Sequence, residues 1–163
     1  MPKLTYDKQL TADIMRDYNL WLADGGDVTA KQFRKLKPSE IADILDYIAG
    51  ASLYEVIEHN GKEYRLVHAG LSDFVPDKEL DEYELYNFLE ERPDYSKRYY
   101  PQENIFLVTG HTPTTSIEGW EKPEVYRAHG HIALDCGCAW GGKLAAFCVE
   151  TEKVIYVDGL QQE

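Results

Sequence analysis

A chain of 163 residues with 44% hydrophobic and 12% aromatic content has the means for a packed core and excludes a disordered composition. Its formal charge of −12, from 17 basic and 29 acidic residues, disfavours a nucleic-acid backbone or an anionic membrane as main partner. A phosphorylated substrate stays open, because a local metal or arginine reverses the field inside a pocket.

The start, "MPKLTYDKQL", is polar and lacks the apolar segment of a secretory signal, and no apolar run approaches membrane-spanning length. A cytoplasmic protein is expected. The first third, residues 1–50, reads as mainly helical. In "YDKQLTADIMRDYNLWLADGG", Leu10, Ile14, Tyr18 and Trp21 fall near one face, and Gly25-Gly26 supplies a stop. A short second helix is expected over "TAKQFRKL". A third opens at Pro38-Ser39-Glu40, with Ile41, Ile44, Leu45 and Ile48 as its apolar stripe and Gly50 at its end.

Residues 51–163 change pattern. "LYEVIEHNGKEYRLVHAG" alternates, breaks at Asn60-Gly61 and resumes, the signature of a β-hairpin. "DKELDEYELYNFLEE", residues 77–91, returns to helical spacing with a very acidic face, most simply a solvated one. "ENIFLVTG" is a continuous apolar strand, and "HIALDCG", "KLAAFCVE" and "KVIYVDG" are three more strands, the last two forming a hairpin around Glu152-Lys153. Helices first, then strands with one inserted helix, indicate a single α+β domain with a mixed sheet.

Cys136, Cys138 and Cys148 are odd in number, and Cys136-Gly137-Cys138 lacks zinc spacing, so three reduced thiols are expected. Two histidines stand out. His68 ends the run "YRLV" and His111 ends "IFLVTG", each followed by small or turn-forming residues. A buried strand fixes a side chain while the loop beyond it admits a ligand, and neutral imidazole is a common metal ligand. Taken singly, a hydrogen-bonded structural role is the plainer reading of each. His59 falls in the expected hairpin turn, and His129 and His131 flank Gly130 with no motif around them.

"LVHAGL", "VTGHTPT" and "IALDCGCAWGGKLAAFCVET", in this order, resemble the C-terminal half of the calcineurin-like metallophosphoesterases. They are closest in pattern to the bacterial and phage-type relatives of the PPP serine/threonine protein phosphatases. "LWLADGGDVTAKQF" is similar to the segment that precedes the first histidine motif there, so the resemblance runs from about residue 18 to about residue 150. It implies that His68 and His111 are ligands of the second of two metals, most simply manganese, with iron or zinc as alternatives. It also implies that Arg92, in "FLEERPDYSKRYYP", holds substrate phosphate through its planar fork, with Arg98 as the fallback. An ion pair of Arg92 with Glu90 or Glu91 is the ordinary alternative. Trp140 corresponds to an aromatic at the active-site mouth, and Asp135-Cys136-Gly137 to a structural turn.

The family's other ligands lie in D-x-H-G, G-D-x-x-D-R-G and G-N-H-[ED], and none of these occurs in the 163 residues; "DGGDV" lacks the D-R-G continuation. The resemblance therefore implies a partial β-sandwich and a truncated phosphomonoesterase, acting on phosphoprotein or a small phosphomonoester when an N-terminal half complements it. No catalytic residue is certain in this chain, metal occupancy by it alone is doubtful, and little or no turnover is expected from it alone. The alternative is a non-catalytic binding module of the same fold. Incomplete sheets expose edges, so self-association or pairing with the complementing half is expected.

Overall fold

The computed structural model describes residues 11–159. It is mixed α+β, helical in the first third and mostly strands after, and it divides between Ala51 and Ser52 into two compact units. The expected position of Leu10 on the first helix and the polar opening segment lie outside the described residues.

In the first unit, α1 (Ala12–Trp21) starts where the Thr11 hydroxyl accepts the Ile14 N–H at 3.3 Å. The stop expected at Gly25-Gly26 falls where the first helix ends: Asp24 and Gly25 leave helical φ/ψ, Gly25 at φ +90, the chain kinks, and α2 (Asp27–Phe33) follows at once. Only glycine fits at 26, since a Cβ there would sit 2.4 Å from the Trp21 ring. α3 (Pro38–Ala49) begins with Pro38, whose missing N–H costs nothing there. The Glu40 carboxylate accepts the Lys37 N–H at 2.7 Å. Apart from Gly26, none of the residues in these elements is buried.

The second unit holds a five-stranded mixed sheet in the order β1-β2-β3-β5-β4, from β1 (Tyr54–His59), β2 (Lys62–Val67), β3 (Ile105–Thr109), β4 (Tyr126–Ala128) and β5 (His131–Ala133). Asn60 and Gly61 both take positive φ between β1 and β2, as a two-residue hairpin turn demands. β3 lies between β2 and β5 and is parallel to both, which is why it reads as an unbroken apolar run. Its alternate side chains serve opposite faces. Leu107 joins Val67, Leu71, Leu80, Phe88 and Tyr100 beneath the long crossover from β2. Val108 joins Tyr64 and Ile132 beneath a separate hairpin of β6 (Lys143–Cys148) and β7 (Lys153–Asp158), which contributes Ala145, Phe147 and Val154.

The helix expected over 77–91 is reduced to a 3-10 turn at Leu80–Glu82 and a single-turn α4 (Tyr86–Leu89). Leu80, Tyr83 and Phe88 are all drawn into the core. The carbonyls of Asn87 and Phe88 accept from Ser72 and Ala69 instead of from their own helix. The Asn87 side chain binds the Glu84 N–H and the Ser72 hydroxyl. β4, by contrast, is a strand that the sequence reading did not anticipate, closed by a positive-φ turn at His129-Gly130.

Charge secures the turn end of the β6–β7 hairpin. The Glu152 carboxylate pairs with Lys62 on β2, and Arg127 on β4 donates to it at 2.8 Å. Those two cations hold its pKa down to about 2.

His131 is the buried histidine among the described residues, 1% exposed, its ring edge-on to Tyr95 and Tyr99 at 5.2 and 5.0 Å. Nε2 donates to the Lys97 carbonyl at 2.8 Å, and Nδ1 has no partner. Burial lowers its pKa most; the hydrogen bond to the Lys97 carbonyl and the Asp94 carboxylate work against this, and His129 and Arg98 add to it. The unfolded chain therefore binds more protons below its ordinary value of about 6.5, and the stability from neutral His131, full above that pH, is lost as pH falls. Urea midpoints from pH 7 to pH 5 are expected to fall, and to fall less in His131→Gln. An equal slope in both proteins contradicts this.

Candidate metal centre at the carboxyl ends of two parallel strands

Parallel neighbours end on the same side, and the β2–β3 register pairs Leu66 with Val108. His68 and His111 therefore leave the sheet together. The Gly110 N–H donates to the His68 carbonyl at 2.9 Å and joins the two strand ends. The imidazole centroids lie 5.2 Å apart with planes 58° apart, and both residues are exposed. Two imidazoles on one tetrahedral ion, with bonds of about 2.0–2.1 Å, place their centroids roughly 5 Å apart, so the pair fits half of a first-row site.

The fit is partial. Among the described residues no group of three or more His, Cys, Asp or Glu side chains converges. Asp135, just beyond the third parallel strand, accepts the Gly137 N–H at 2.9 Å and shapes the turn there, as its sequence setting suggested. All three cysteines are free thiols, and burial raises the pKa of Cys136.

His111 carries backbone strain. Its φ is +62, and the Thr112 N–H donates to the Gly110 carbonyl at 2.6 Å, a tight three-residue γ-turn around His111. A left-handed conformation outside glycine costs about 1–3 kcal/mol and persists where the surroundings impose it. Nothing about packing requires a histidine at this exposed turn.

Arg92 and Thr112 line one cavity of about 430 Å³, so the guanidinium segment flanks the residue that follows His111. Pro93 and the Glu91 carbonyl pack against Gly70, where a Cβ would meet them at 2.9 and 3.0 Å, and this seats the Arg92 segment beside the His68 turn. No ion pair of Arg92 occurs among the described residues. Arg98 is placed elsewhere. Its Nη1 donates to the Gln102 carbonyl at 2.9 Å, its guanidinium packs on Gly130, and it does not line the cavity.

Sequence reasoning left three features of this end unassigned. Tyr95 lines the cavity, with its hydroxyl 3.1 Å from that of Thr109 and its pKa raised by burial. His129 lines it too, brought there by the unanticipated hairpin; the positive-φ turn residue beside Gly130 was the available signal. Thr112 holds a buried hydroxyl with no partner, which no sequence pattern marks. Trp140 stands 85% exposed at the rim of a second cavity that shares Ser116 with the first.

No protein-family model matches the chain, and no curated protein matches it. No helix among the described residues is long and apolar enough to cross a membrane.

If His111 is held there for its imidazole, glycine suits the backbone better. His111→Gly is expected to raise stability by roughly 0.5–1 kcal/mol, the relieved strain less glycine's entropy cost. Urea denaturation checks it, and a lower midpoint than the parent contradicts it.

Proposed function

We propose that this chain is the C-terminal part of a calcineurin-like metallophosphoesterase of the PPP serine/threonine phosphatase type. The convergence of His68 and His111 carries the reading. Two motifs far apart in sequence meet at a separation that suits one ion. A five-stranded sheet with a second, hairpin sheet on one face is in keeping with part of a β-sandwich.

In this reading His68 and His111 would hold a divalent cation, most simply manganese, with iron or zinc as alternatives. When bound, such cations supply Lewis acidity for phosphoester hydrolysis, in the family as a pair about 3.5–4 Å apart. Arg92 would bind two phosphate oxygens with its fork and orient the ester. The substrate is a phosphoprotein or a small phosphomonoester. The remaining ligands would come from a polypeptide carrying the three motifs missing from these residues. Turnover by this chain alone is therefore expected to be weak or nil.

A non-catalytic binding module is the second reading, and the β6–β7 hairpin favours it. Its outer face presents Leu144, Ile155 and Val157, each more than 60% exposed, while the inner face is already packed. Such a face suits self-association or the complementing half.

Adding a polypeptide with the D-x-H-G, G-D-x-x-D-R-G and G-N-H-[ED] motifs is expected to give manganese-dependent aryl phosphate hydrolysis. His68→Ala is expected to lower that rate at least about a hundredfold, the upper range for losing support of a metal site. Turnover indifferent to His68→Ala contradicts the assignment. An absence of turnover together with a sedimenting dimer of this chain favours the binding module.

A further inference from the structure

The loop from His111 to Ser116 is a ridge between two cavities of different chemistry. On one side lie Arg92, Asp94, Glu118 and His129. On the other is a groove of about 470 Å³ in which, of all the lining residues, none is charged. That is unusual ground in a chain of charge −12.

Its walls are Pro113 and Thr115 on the ridge, Pro123 opposite, and Trp140 with Gly141 at the rim. The Trp140 ring is 85% exposed, although burying such a ring is among the largest gains open to a side chain. Trp140 sits on a 3-10 turn, Cys138–Trp140, between Gly137 and Gly141, both at positive φ. Its backbone N–H donates to the Gly137 carbonyl at 2.9 Å, so the turn that carries the ring is fixed. Gly142 locks this turn to the sheet end, because a Cβ there would lie 2.1 Å from the Cys136 carbonyl. A rigid turn that holds an indole outward beside two prolines differs from a stray surface aromatic.

An uncharged groove repels neither sign but gives a charged ligand nothing in exchange for its lost water. An indole beside proline rings suits the preformed polyproline II conformation, which aromatic-lined grooves bind at little entropy cost. The indole N–H is a donor for the free carbonyls of such a segment, and the Thr115 and Ser116 hydroxyls add donors along the ridge.

We propose that this groove holds an uncharged, proline-bearing stretch of extended polypeptide. The inference rests on the phosphoesterase reading in one respect: the stretch is the part of a phosphoprotein substrate that flanks the phosphorylated residue, lying across the ridge from Arg92. Ser116, common to both cavities, makes the two sites neighbours across the ridge.

The test uses a fluorescein-labelled, proline-rich peptide without phosphate, in buffer without divalent cations, with anisotropy as the readout on the full chain. Saturable binding is expected. It should weaken about tenfold or more when glutamates replace the prolines, and by a similar factor in Trp140→Ala, while Trp140→Phe retains most of it. Thr115→Glu, an exposed change on the opposite wall, is expected to weaken binding as well. The proposal is overturned by no saturable binding, by equal binding of the glutamate peptide, or by indifference to Trp140→Ala and Thr115→Glu. A chain dimer that dissociates in Trp140→Ala, without peptide binding, assigns the groove to a second copy and overturns it too. The peptide carries no phosphate and the buffer no metal, so failure here leaves the phosphoesterase reading standing. Failure of complemented hydrolysis likewise leaves the groove standing.

Discussion

The parallel pairing of β2 with β3 is the constraint on which the rest depends. Parallel strands cannot be joined by a tight turn, so the chain between Val67 and Ile105 must cross over one face of the sheet. In crossing it delivers Leu71, Leu80, Tyr83, Phe88 and Tyr100 to that face and builds half of the core. The same pairing sends both strand ends out on one side, with His68 and His111 in contact range. Had the strands been antiparallel, the two histidines would lie at opposite ends of the sheet. The loops that follow parallel strands are where open sheets place their ligand sites; such loops line the second cavity and, together with Tyr126 and His129 of the β4–β5 hairpin, the first.

Much of this was legible in the sequence, and the parts that were not have physical reasons. The Asn60-Gly61 hairpin was readable because its turn needs two positive φ values and those residues supply them cheaply. The continuous apolar run of β3 was readable as a strand, and the structure packs both of its faces, which is why the run is unbroken. The segment 77–91 misled because helical spacing and core-seeking spacing coincide there. Tertiary burial of Leu80, Tyr83 and Phe88, with the Asn87 side chain capping local turns, outweighs a helix that would carry seven acidic residues. β4 escaped notice because its three residues lie in the charged stretch "EKPEVYRAHG", which has no apolar run, whereas the equally short β5 sits in "HIAL".

The candidate site was legible as two residues and not as a place. Each histidine could be singled out by its strand-end position, but their proximity depends on register, which no local signal encodes. Arg92 was the first choice and Arg98 the fallback, six residues apart in one loop. The fold separates them, one onto a cavity wall and the other onto a backbone carbonyl and Gly130. The strain at His111 is invisible in sequence as well. It suggests that stability is given up at this turn in exchange for the imidazole, which is how strained residues commonly distribute around functional sites.

Proton NMR of the histidine rings during manganese titration is the sharpest test of the proposal that His68 and His111 together form half of one metal site. The His68 and His111 resonances are expected to broaden first and at the same manganese concentration. His111→Ala is expected to abolish the broadening at His68. Broadening that begins at His59 or His129, or that persists at His68 in the variant, would contradict a shared ion.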